Sequence, residues 1–248
     1  MKIRSLILIG LFAGLFFAIA LLPASLVWRV AGGGLPLPIV VDRVGGTVWQ
    51  GFLSGRVNQP VAAGPIVIRW DLQGLRLLLG EAALEIGLEG AQYRLQGSGF
   101  WGLWGKGITD FNGDLRASML EQALAEFGVS AGGIVKLNNV SVRLSGNRIS
   151  SAEGDIGWSG GPVSVRDGGS TQNLEFPGIK GELAEVEGDL IIAVTETRGN
   201  KPLGELSLLP EQGLAGVKVL KRVMALAGYG AQGDEDKVLV SLQQPLPF

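Results

Sequence analysis

The sequence predicts a mainly β protein, with an N-terminal transmembrane helix followed by a twisted, curved antiparallel β-sheet and about two covering helices. Three observations carry that expectation. Residues 5–28 form an uncharged, largely apolar run behind Lys2 and Arg4. Beyond residue 40, short segments alternate apolar and polar residues, the mark of strands with one packed and one wet face. Glycine supplies 40 of the 248 residues, roughly twice its usual ~7% share, as turns, bulges and strongly bent sheets require.

The leading run sets the first element. A helix over residues 5–28 would reach roughly 36 Å at 1.5 Å per residue, enough for a hydrocarbon core of about 30 Å. Trp28 and Arg29 stand where an interfacial anchor belongs, and Pro23 either is tolerated or closes the helix. Lys2, Arg4 and the terminal amine keep the N-terminus cytoplasmic and put the rest of the chain on the far side. Ala18-Ile19-Ala20 also fits a cleavage site, so removal after Ala20 is the competing reading. Residues 1–28 are thus read as cytoplasmic start and anchor. Residues 29–42 are a linker built on Gly32-Gly33-Gly34 and Leu35-Pro36-Leu37-Pro38, and 43–248 are the exported domain.

The strands come next. Ile66, Ile68 and Trp70 alternate with Val67 and Arg69; Leu84, Ile86 and Leu88 with Glu85, Gly87 and Glu89; Val140, Val142 and Leu144 with Ser141 and Arg143. Residues 189–197 and 237–242 are further β-rich runs. The alternation changes phase after Gly90, which predicts a bulge there. Asn112-Gly113, Gly146-Asn147 and Asp167-Gly168-Gly169 predict turns. Two helices are expected. Residues 118–127 place Met119, Leu120, Ala123, Leu124 and Phe127 on one face behind a Ser118–Glu121 capping box. Residues 214–227 place Val217, Leu220, Val223, Met224 and Ala227 on one side, with Gly228 as the stop. A glycine-flanked Trp recurs in residues 45–51 and 154–161, which suggests two similar halves at about 43–145 and 146–248.

Composition excludes much chemistry. With neither Cys nor His, the chain has no disulfide, no imidazole or thiolate zinc site and no His-dependent catalysis. A net charge of −2 and a pI near 5.3 provide no basic field for nucleic acid. Gly105-Lys106 is not a phosphate loop, because Phe100 and Gly107 stand where Gly and Ser/Thr are needed. Asp234-Glu235-Asp236 reads as a solvated loop rather than a weak Ca2+ chelate. No catalytic residue, cofactor or metal is expected, so the chain reads as non-enzymatic. The candidate structural or interaction motif is Gly46, Thr47, Trp49 and Gly51 with Trp158 and Gly160; its tryptophans serve either the core or a partner. Phe100, Trp101 and Trp104 form a candidate exposed aromatic loop for the bilayer interface or a partner, with sheet-end core as the other reading.

Gly46-Thr47-Val48-Trp49-Gln50-Gly51 just after the linker, the later Gly157-Trp158-Ser159-Gly160-Gly161, and the anchor ending in Leu22-Pro23-Ala24 together resemble the type II secretion system protein N (general secretion pathway protein N) family. The resemblance implies a single-pass cell inner membrane protein with a periplasmic β-rich domain. It implies an accessory role in export of folded proteins across the outer membrane, through contacts with other secretion-system subunits. It brings no catalytic site. The residues by themselves also fit a periplasmic lipid or apolar-ligand carrier, since a bent alternating sheet can form an apolar groove. A third reading, an envelope hydrolase, needs two acids about 5–9.5 Å apart in a cleft.

Overall fold

Among the described residues, alternation of apolar and polar residues becomes sixteen strands. They are β1 (Ile39–Gly46), β2 (Gln50–Val57), β3 (Gly64–Leu72), β4 (Glu81–Gly90), β5 (Tyr93–Gly102), β6 (Gly105–Arg116), β7 (Val129–Ala131) and β8 (Ile134–Ser145). They continue as β9 (Arg148–Trp158), β10 (Gly161–Asp167), β11 (Ser170–Phe176), β12 (Ile179–Val186), β13 (Asp189–Glu196), β14 (Pro202–Leu209), β15 (Leu214–Leu220) and β16 (Val238–Pro245). Between them lie α1 (Ala24–Ala31), α2 (Gly74–Leu77), a 3-10 turn (Ala117–Leu120) and α3 (Arg222–Leu226). The computed structural model describes residues 14, 17–31, 39–57, 64–77, 80–103, 105–121, 128–167, 170–226 and 234–245.

Thirteen strands build one antiparallel sheet in the order β1-β2-β3-β4-β5-β6-β8-β9-β12-β13-β14-β15-β16. The remaining three form a small sheet, β11-β10-β7. The register explains how so wide a sheet holds together. Directly opposed residues in an antiparallel pair share a face. One such row runs from Val44 through Leu53, Ile68, Leu88 and Leu95 to Gly113. It continues through Leu137, Ile156, Gly181, Val194, Gly204 and Val219 to Val240. Every member is aliphatic or glycine. At about 4.8 Å per strand the row is roughly 58 Å long.

The neighbouring row on the other face is polar. Glu89, Arg94, Asp114 and Lys136 face one another in succession across β4, β5, β6 and β8, alternating in sign. Opposite charges paired this way favour the register. Lys180 donates to Glu182 Oε1 at 2.9 Å and lies 3.9 Å from Asp155 Oδ1. The Glu182 hydrogen bond, then the two carboxylate charges, hold its amine above the usual lysine range.

Register shifts fall side by side in β5–β6, β6–β8 and β8–β9. Such bulges bend strands and increase local twist, so the sheet curves across its middle. The small sheet faces the aliphatic side over β8, β9 and β12–β15, yet covers only part of it. Among the described residues no large side chain is completely buried.

Several expectations are corrected. The phase change after Gly90 is a tight hairpin turn, not a bulge: Glu89 pairs with Arg94, and β5 starts at Tyr93. Asn112-Gly113 lies inside β6, where Asp110 (φ 52) and Gly113 (φ 150) carry the bulge. Residues 214–220 are strand β15 rather than helix. Val217 and Val219 are β-branched around Lys218, and pairing to β14 on one side and β16 on the other outweighs the helical spacing. Only α3 remains of that helix. Of the helix expected at 118–127, the 3-10 turn to Leu120 is seen, and residues 122–127 lie outside the described residues. In the N-terminal run, residues 17–20 are helical, the path breaks at 21–23, and α1 follows. One helix through residue 28 is therefore not formed, because Pro23 has no N–H to continue the ladder and its ring obstructs the preceding turn. Residues 1–13, 15 and 16 lie outside the described residues. Among the described residues no helix is long and apolar enough to cross a membrane.

Candidate functional site

The first glycine-flanked Trp forms the corner between β1 and β2. The Thr47 N–H donates to Gln50 O at 2.8 Å, and the Gln50 N–H donates back to Thr47 Oγ1 at 3.1 Å. Gly46 adopts φ +84, and a Cβ there would strike the Gln50 and Gly51 backbone. Gly51 sits against the Trp70 ring and Gly45 O, where a Cβ would come within 2.6 Å of each. Both glycines are therefore required by close approach rather than by chemistry.

This corner also clasps the N-terminal segment. Trp49 Nε1 donates to Ile19 O at 3.0 Å, the Val48 N–H donates to Leu22 O at 3.0 Å, and Pro23 bridges Thr47. Trp70 Nε1 donates to Val48 O at 3.1 Å and stiffens the corner from below. The Trp49 ring is half-buried.

The second Trp repeats the device where β9 leaves the large sheet. Trp158 Nε1 donates to Gly132 O at 2.8 Å. Ser159 N donates to Ile134 O, and Ser159 Oγ accepts from Ile134 N, both at 2.9 Å. Gly160 is buried at φ +78 against the backbone of residues 176–178. In both blocks an indole N–H reaches the carbonyl of a distant segment, 30 residues away for Trp49 and 26 for Trp158.

Strands alternate in direction, so the β1–β2, β5–β6 and β8–β9 turns lie at one end of the sheet. The N-terminal segment is bound at this end. The β5–β6 hairpin tip emerges there too, with Trp101 72% and Leu103 84% exposed. Lys106 stands over the Trp101 ring at 5.6 Å, and Arg143 over the half-buried Phe100 at 4.9 Å. Trp104 lies outside the described residues. The structure does not bring Trp158 and Gly160 to this end; they sit at the other, beside the small sheet.

The polar face holds an open depression of about 580 Å³ lined by Gln50, Asp71, Glu85 and Gln96. Asp71 and Glu85 oppose each other in the β3–β4 register. Each already accepts an amide hydrogen, from Gln50 at 3.0 Å and Gln73 at 2.7 Å. Glu235 and Asp236 pair with Arg222 at 3.2 and 2.8 Å.

The aliphatic face holds a feature that motif reading missed. Between the two sheets, Trp158, Ile179, Val194, Leu203, Val163 and Phe176 line a cavity of about 460 Å³. Its signal lay in LIIAV and in the alternating Leu residues of LGELSLL, which motif searching passes over.

The family model for the type II secretion system (T2SS), protein N, matches residues 38–219. The chain belongs to that family. The match spans both tryptophan corners and every strand from β1 into β15. No curated protein and no solved structure gives a significant match. The protein N family is an accessory component of the type II secretion machinery, is not a known enzyme family, and is associated with the cell envelope. Other secretion subunits are the partners that membership implies. In this chain the two glycine-flanked tryptophan blocks are strand corners.

Proposed function

We propose that the chain is an architectural component of type II secretion, tethered to the inner membrane by its N-terminal run and exposing its sheet to other subunits in the periplasm. The observation that carries this reading is the clasp of Trp49, Val48 and Thr47 on residues 19–23. A tether held this way fixes the sheet's orientation to the bilayer. The exposed Trp101 and Leu103 emerge at that same end, where interfacial aromatics belong. The far edge strand, β16, is exposed along its length and has β15 as its neighbour on one side. An edge with no further strand beside it among the described residues can accept an added strand from a partner.

In-cell photo-crosslinking from Ser241 and Gln243 tests the reading, with Glu182 at the sheet centre as control. The expected result is capture of another secretion subunit from β16 and not from Glu182. No captured subunit, together with normal export when the gene is deleted, removes the proposal.

A further inference from the structure

We propose that the cavity between the two sheets, at the end of the large sheet away from the N-terminal clasp, holds an acyl chain of a phospholipid withdrawn from the bilayer. Four of its walls, Trp158, Ile179, Val194 and Leu206, come from the large sheet, and two, Val163 and Phe176, from the small one. Glu205 and Lys218 also border it, but they alternate with Leu206 and Val217 and so turn their side chains to the opposite face.

The lining decides the class of guest. The large-sheet backbones around it are engaged in ladders on both sides, and the Trp158 indole N–H is taken by Gly132 O. A peptide strand placed here would leave its own N–H and C=O groups unpaired, at high cost. A hydrocarbon chain needs no polar partner. An empty apolar cavity forfeits the dispersion contacts of its walls, and a hydrocarbon restores them.

A path to the cavity also exists. Leu206, Val217 and Leu242 form one row toward the β16 edge and are 41%, 40% and 58% exposed. Among the described residues no cationic side chain points into the cavity to hold a free carboxylate, so the head group stays outside and the tail enters.

The test uses the full chain in vesicles of phosphatidylethanolamine and phosphatidylglycerol, containing a phosphatidylglycerol with a diazirine in its acyl chain. After irradiation the labelled peptides are mapped. Label is expected on the segments holding Ile179, Val194 and Leu206. It should fall about tenfold in the Leu206→Lys, Val217→Lys double variant, since charge in an apolar site is strongly disfavoured. The Glu205→Gln, Lys218→Gln variant, altered on the opposite face, should keep the label and serves as a check that substitution in these strands leaves the sheet intact. Absence of label from these segments while the N-terminal run is labelled overturns the proposal, as does label that the lysines leave unchanged. Label in the cavity without label on the N-terminal run would refute the tether and leave the acyl site standing.

Discussion

Replacing Gly160 with alanine should destabilise the β9–β10 corner far more than the same change three residues earlier. At φ +78 an L side chain pays about 1–2 kcal/mol. The added Cβ would also stand 2.5 Å from Phe176 O and 2.7 Å from Gly178 N and Pro177 C. All three are backbone atoms that cannot rotate aside. They are held by Gly161↔Phe176 pairing on one side and Trp158↔Ile179 pairing on the other. Overpacking of this kind costs about 1–3 kcal/mol, so the total is about 2–5 kcal/mol out of a usual 5–15 kcal/mol. Gly157 is the control, because a Cβ there meets nothing within 4 Å. Gly157→Ala should be neutral or stabilising by about 0.4–1 kcal/mol. Urea unfolding of the full chain in mild detergent, followed by tryptophan fluorescence, should put the Gly160→Ala midpoint roughly 1–2 M below the parent at ordinary urea sensitivities. Equal midpoints for the two variants would refute the reasoning.

Trp158→Phe keeps the ring but strands Gly132 O, and should cost about 1–3 kcal/mol in the same assay. Trp49→Phe should leave global stability nearly unchanged while hastening protease cleavage around residues 19–31, because it frees Ile19 O from the corner. Arg222 is 12% exposed and bonds Glu235, Asp236 and Pro202 O. Arg222→Ala should cost about 1–2 kcal/mol and speed amide exchange in β16. Burial pushes the Tyr93 phenol above its usual value near 10. Its contribution to stability is therefore complete below the unfolded value and is lost as pH rises through the folded one. In a Tyr229→Phe background, phenolate absorbance should titrate at higher pH in the native protein than in urea; coincident curves would contradict this.

Much of the sheet was legible because an antiparallel strand with one wet face writes its period directly into the chain. Ile66-Val67-Ile68-Arg69-Trp70 and Val140-Ser141-Val142-Arg143-Leu144 could be read that way, and both are strands. The pattern misled where two periods overlapped. Residues 214–220 satisfy a helical stripe and a strand alternation at once, and only pairing to β14 and β16 settles the choice. The phase change after Gly90 and the Asn112-Gly113 pair show the same limit in reverse. A turn and a bulge use the same residues, and the difference is whether the partner strand continues past them. The corner glycines were singled out from sequence, but their reason was not visible there. Gly51 answers to Trp70, and Gly160 to residues 176–178.

By itself the amino-acid order determined the predominance of strand, the lack of thiol and imidazole chemistry, and the resemblance to the family, since each depends on residue type and local spacing. Tertiary structure alone decided that thirteen strands align their aliphatic residues into one row, that the small sheet stands over part of it and borders an open apolar cavity, and that Trp49 grips the N-terminal segment. Those outcomes depend on register between distant strands and on where bulges shift it. No local pattern carries that information, because one extra residue in a strand exchanges its two faces.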